Sequence, residues 1–156
     1  MIKNFITMWK FICTAMILIA LAGCHTNKNM SKTENTVVTT DYTLPQELPV
    51  SASFRMFWEA WQADLAQSGK TIDDYTPSSL LTQRFSLRNQ NGQYLATGFL
   101  HADAEFDADA LTQLGGYCVK YNETMYSFAV PLRSLTRFVT LPGITYIEAS
   151  SPARPR

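Results

Sequence analysis

The spacing of apolar positions changes three times along this chain. Phe11 to Ala20 is nearly all apolar, and residues 25–50 show no sustained period. Phe54, Phe57, Trp58, Trp61 and Leu65 then recur at helical spacing, and from Arg84 onward short stretches alternate in the two-residue rhythm of strands. The aromatic stripe predicts an amphipathic helix, capped by Ser51 or Ser53 and stopped by Gly69. Such a stripe could line a groove for a partner or a sugar, but its size and spacing favour core packing. Thr71 to Ser79 reads as a loop, with one helical turn over Ser78 to Gln83.

The alternating half divides at its turn residues. Arg84–Arg88 and Gln93–Thr97 flank Asn91-Gly92, which predicts a hairpin whose second arm runs on through His101. Asp107 is placed to cap a helix carrying Leu111 and Leu114 and closed by Gly115-Gly116. Strands are expected over Tyr117–Tyr121 and Met125–Val130. Pro131 is then expected to open a second helix at its first turn, with Leu132, Leu135, Phe138 and Val139 on the apolar face. Ile144–Ile147 is the last expected strand, and a tail follows from Glu148. From about residue 94 the order is strand, helix, strand, strand, helix, strand. It predicts an α+β fold, a ferredoxin-like βαββαβ antiparallel sheet with both helices on one face. A helix and an extra hairpin strand precede it. Leu111, Leu114, Val119, Phe128, Val130, Leu135, Phe138 and Ile147 are the expected core. The other sheet face must meet solvent, the aromatic helix or a partner.

The N-terminal run belongs to a different kind of segment. Lys3 and Lys10 supply positive charge, and Leu21-Ala22-Gly23-Cys24 has the bacterial lipoprotein form: an aliphatic residue and two small ones before a cysteine. Small residues let the extended chain enter a signal-peptidase cleft, and the Cys24 thiol is the atom that takes the lipid. The run is short for a membrane span, which needs about 20 residues. The expected organisation is therefore a lipoprotein signal peptide over 1–23 and a flexible tether over 24–50 that starts at lipidated Cys24. A helix and loop fill 51–83, the α+β domain 84–150, and an extended tail 151–156. The expected location is the cell envelope, with the lipid as membrane anchor and the outer membrane ahead of the inner. No acidic cluster follows Cys24 closely enough to read as a sorting signal.

Charge narrows the partners. Cleavage removes Lys3 and Lys10 from 13 basic residues and none of the 13 acidic ones, leaving 11 against 13. Such a balance provides no basic field for nucleic acid. Of three cysteines, Cys13 leaves with the signal and Cys24 is acylated, so only Cys118 remains and no internal disulfide can form. A nucleophilic Cys118 would need a histidine, and only His25 and His101 exist. Alternation around Cys118 instead favours a small buried hydrophobe.

Motifs of catalysis are missing: there is no phosphate-binding glycine loop, HExxH, CxxC or nucleophile elbow. The acidic run from His101 to Asp109 fails as a calcium loop. Counted from Asp103, Ala108 stands where glycine is needed and Leu114 where the bidentate glutamate belongs. Helix capping is the better use of those carboxylates. The expectation is a protein that is not an enzyme and holds no metal or cofactor.

In the last seventy or so residues, several phrases occur in order. They are Leu114-Gly115-Gly116, Val130-Pro131-Leu132, Leu141-Pro142-Gly143-Ile144 and Ile147-Glu148-Ala149-Ser150. In order and spacing they resemble the propeptide domain of subtilisin-family serine peptidases of Bacteroidetes-type bacteria. The resemblance implies an inhibitor or folding assistant whose open sheet face docks on two surface helices of the peptidase. It implies that the tail, Ser150, Ser151, Pro152, Ala153, Arg154, Pro155 and Arg156, lies in the substrate cleft. It also implies that Glu148 caps helix N-termini of the partner. A solvent-facing carboxylate at a strand end is the plainer account of Glu148. The sequence departs from the family at Arg156, where a peptidase domain would begin, so a free-standing propeptide-like domain is expected. The alternatives are a non-catalytic interaction protein of the envelope and a remnant of a truncated peptidase precursor.

Overall fold

Ser51 and Ser78 start helices in the same way. Each is extended, with ψ 158°, and each side-chain oxygen accepts the amide three residues on, from Phe54 at 3.0 Å and from Leu81 at 3.2 Å. In the computed structural model, which describes residues 42–150, these helices are α1 (Ala52–Ser68) and α2 (Ser79–Arg84). Gly69 ends α1 at φ 63°, the left-handed conformation that the absence of a side chain permits. The signal peptide, Cys24, the tether as far as residue 41 and the tail 151–156 lie outside the described residues.

Five antiparallel strands form one sheet: β1 (Arg88–Gln90), β2 (Gln93–Ala102), β3 (Tyr117–Lys120), β4 (Met125–Pro131) and β5 (Ile144–Ala149). With the helices, they make an α+β fold. β2 is the central strand. One of its edges pairs with β4 from Leu95↔Pro131 to His101↔Met125, and β3 pairs with the far side of β4. The other edge is shared: β1 takes Gln93 to Leu95 and β5 takes Gly98 to Ala102. The β1–β2 turn needs positive φ at both central residues, and Asn91 (53°) and Gly92 (81°) supply it.

A third helix, α3 (Ala108–Gln113), lies between β2 and β3. A 3-10 turn (Leu132–Ser134) leads into α4 (Leu135–Phe138) between β4 and β5. The Asp107 carboxylate caps α3 by accepting the Asp109 amide at 2.8 Å. Ser134, buried in the second connection, donates its hydroxyl to the Leu114 carbonyl at 2.8 Å and so ties α4 to the end of α3.

One core holds these parts together. Phe54, Phe57, Trp58, Trp61 and Leu65 of α1 cluster with Leu111, Leu135 and Phe138. Alternate sheet residues complete it: Ala96, Leu100 and Ala102 from β2, Phe128 and Val130 from β4, and Ile147 and Ala149 from β5. The register puts all of these sheet residues on the same face. Gly98 sits in that row because nothing larger fits. A Cβ there would lie 1.9 Å from the Glu148 carbonyl oxygen and 2.9 Å from the Phe128 ring.

Several expectations need correction. Arg84 to Leu87 is no strand. Arg84 closes α2, Phe85 caps it and Ser86 turns at φ 50°, so the first hairpin arm is only three residues long. Pro131 ends β4 in extended backbone (ψ 139°) instead of opening a helix, because it is still in register opposite Leu95. Glu148 and Ala149 belong to β5, held by pairing with Phe99 and Gly98. Val119 is 56% exposed, because its register puts it on the face away from the core.

The tether also ends earlier than Val50. Trp58 Nε1 donates to the Tyr42 carbonyl at 2.9 Å, Gln62 Nε2 donates to the same oxygen, and the Tyr42 ring stacks on Trp61 at 5.5 Å. Pro49 and Ser51 bracket Ile147 with two backbone hydrogen bonds of 3.3 and 2.9 Å. Residues 42–50 are thus a strap along α1 and the outer edge of β5.

Candidate functional site

The sheet face opposite the core carries the candidate site. The pairings align its residues in rows across the strands. Tyr117, Ala129 and Thr97 make the first row, and Val119, Ser127, Phe99 and Glu148 the second. The third is Met125, His101 and Tyr146, extended by Tyr121, whose amide donates to the Met125 carbonyl at 2.8 Å. The β4 column is small in its first two rows, at Ala129 and Ser127, and ends on the longer Met125. Phe99 and Tyr121 meet edge to face at 5.8 Å, and His101 and Tyr146 do the same at 5.8 Å. Tyr117, Val119 and Tyr121 are three of the five exposed large apolar residues among those described.

This surface is poor in charge and rich in rings, which suits association with a protein surface through apolar contact. Glu148 is its acidic member, exposed on β5 opposite Phe99, and it is separated from the core by the pleat. Ser150 follows β5 directly, and its amide donates to the Thr97 carbonyl at 2.8 Å. The remaining expected contact residues, Ser151, Pro152, Ala153, Arg154, Pro155 and Arg156, lie outside the described residues, as does Cys24. The structure therefore brings Glu148 and the root of the tail onto one edge of the open face.

Cys118 and His101 do not form a pair. Cys118 shares a row with Phe128 and Gly98 on the core face, whereas His101 points to the open face. Burial pushes the Cys118 thiol above its ordinary pKa, which keeps it protonated and weakly nucleophilic. The acidic run folds back on itself: Asp103 accepts the Glu105 amide at 2.9 Å, and Asp107 caps α3. Among the described residues, no three His, Cys, Asp or Glu side chains gather where they could hold a metal, and no helix is long and apolar enough to cross a membrane.

A second polar site has structural work. Asp64 on α1 accepts the Ser78 amide at 2.9 Å and the Tyr75 hydroxyl, binding the loop before α2 back onto α1. Burial opposes the Asp64 charge, but the hydrogen bonds from Ser78 and Tyr75 outweigh it and lower the pKa. Burial and the neighbouring carboxylate raise that of Tyr75. An open cleft of about 370 Å³ beside this loop is lined by Tyr75, Tyr94, Leu132 and Arg133 and gathers no catalytic pair.

Sequence reasoning foresaw an open face but not its members. Phe99 was legible in principle by alternation along β2, whereas Tyr121 and Tyr146 join it only through the register of the neighbouring strands. No family model matches the chain, and neither a curated protein nor a solved structure gives a match.

Proposed function

We propose that this chain is a lipid-anchored envelope protein whose domain binds a subtilisin-type serine peptidase as an inhibitor or folding assistant. The carrying observation is the sheet face opposite the core, where Tyr117, Val119, Tyr121 and Glu148 are exposed among the described residues and Ser150 follows β5 at its edge. The strand order β5, β2, β4, β3, with every neighbour antiparallel, supports a ferredoxin-like βαββαβ topology, the arrangement expected of a propeptide-like domain. The ring-lined rows supply apolar contact to the peptidase surface. Glu148 answers helix N-termini, whose free amides carry partial positive charge. The tail enters the cleft as a substrate mimic, and Pro152 and Pro155 reduce the entropy it loses on binding. Binding, not bond-breaking, is the activity, and Cys24 holds it at the membrane of the envelope, by preference the outer one.

Deleting Ser151–Arg156 tests the division of labour. Inhibition of the target peptidase weakens while the circular dichroism of the domain stays the same, because the tail follows the last strand. Unchanged inhibition would remove the cleft from the account but leave the face. Anchoring is tested separately with a fatty-acid probe: the wild type takes up label and Cys24→Ser does not. Equal labelling of the two would contradict lipidation at Cys24.

A further inference from the structure

The edges of the sheet differ. β1 is three polar residues long, and the strap at Pro49–Ser51 lies along β5. Among the described residues β3 has no such cover, and its apolar side chains are exposed: Tyr117 by 42%, Val119 by 56% and, just past its end, Tyr121 by 65%. It carries neither a proline nor a bulge, and its protections are its length of four residues and one charge. Its charged residue, Lys120, is turned to the other face, where the ammonium sits 5.6 Å from the centre of the Tyr126 ring. The Tyr121–Met125 hydrogen bond fixes which backbone groups are used inward. By the alternation of an antiparallel ladder, the N–H and C=O groups of Cys118 and Lys120 point outward.

We propose that β3 pairs antiparallel with β3 of a second copy of this chain, about a twofold axis at Val119. Only registers that set Cys118 or Lys120 opposite Cys118 or Lys120 join the free backbone groups. Lys120 opposite Lys120 places like charges together, which is unfavourable. Cys118 opposite Cys118 sets Tyr121 against Gly115 and leaves the ring unmatched. Cys118 opposite Lys120 is the remaining register. It pairs Tyr117 with Tyr121 of the second copy, Val119 with Val119, and Tyr121 with Tyr117, so every exposed apolar side chain of the edge gains an apolar partner. The twofold keeps both open faces on the same side, so the dimer doubles the docking surface as one continuous sheet. This goes beyond the proposed peptidase binding and does not depend on it.

Disulfide trapping in the full chain tests the pairing. Val119 opposite Val119 is a non-hydrogen-bonded pair with Cα atoms about 4.5 Å apart, within disulfide reach. In a Cys118→Ser background, Val119→Cys should give a disulfide-linked dimer several-fold above both the background chain and a Met56→Cys control on α1. Val119→Lys, which sets two ammonium groups face to face, should shift the sedimenting species from dimer to monomer with circular dichroism unchanged. Cross-linking no greater than the Met56→Cys control overturns the proposal. So does a wild-type species that sediments like Val119→Lys, or a trapped product whose mass is not twice that of the chain.

Discussion

Phe99 on β2 and Tyr121 at the end of β3 touch edge to face across the intervening strand β4, with ring centroids 5.8 Å apart and planes at 64°. They reach one another because Ser127, next to Phe99 in its row, is small. The contact makes a raised bar over the open face. Tyr121→Ala should remove it at a cost of about 1 kcal/mol or less, since the ring is largely exposed. Urea unfolding measures that cost. A loss of several kcal/mol would mean that this face is part of the core.

Gly98 is under the opposite constraint. Gly98→Ala pushes a methyl group into the Glu148 carbonyl and the Phe128 ring, so β5 has to move away from β2. The expected loss is large for a single methyl group, about 4 kcal/mol or more, the range reached when a substitution forces strain that cannot relax. Thermal unfolding should show it as a strongly lowered Tm. A variant as stable as the wild type would mean that the β2–β5 approach is wider than described.

Phe138 is fully buried in α4, its ring 4.7 Å from that of Phe128. Phe138→Ala should cost about 3–5 kcal/mol by leaving a cavity between α4 and the sheet. Denaturant unfolding at constant m-value checks it. A cost under about 1 kcal/mol would place Phe138 outside the packed interior.

Acid should weaken the tie between α1 and the loop before α2. The folded-state pKa of Asp64 lies below the ordinary 3.8, so its stabilising contribution is present above that value. It is lost as pH falls through 3.8 toward the lower folded pKa. Asp64→Asn should therefore be less stable than wild type at neutral pH, with the difference shrinking in acid. Unfolding midpoints measured between neutrality and pH 2 test the sign. A difference that grows in acid would contradict it.

The elements that the sequence made legible are those specified locally. Caps at Ser51 and Asp107, the Asn91-Gly92 turn and the helical stripe of α1 each rest on residues within a few positions of one another. What escaped was set by distant pairing. Val119 looked like core in an alternating strand, because alternation defines two faces without saying which is covered. Only the register to β4 and β2 decides that. The strap over residues 42–50 was unreadable for the same reason: two prolines and a polar composition hide contacts made with Trp58, Gln62 and Ile147. For the candidate site, Glu148 was legible as a residue near the end of the sheet. The ring-bearing rows beside it became visible only once the strands were in register.

The proposed peptidase binding is tested most directly by titrating a panel of subtilisin-type peptidases with the full chain and with a Phe99→Glu, Tyr146→Glu variant of matched circular dichroism. The account predicts saturable inhibition of at least one peptidase by the wild type and a fall of at least about tenfold in affinity for the variant, equal to 1.4 kcal/mol. Absence of inhibition across the panel, or equal inhibition by the variant, would contradict it.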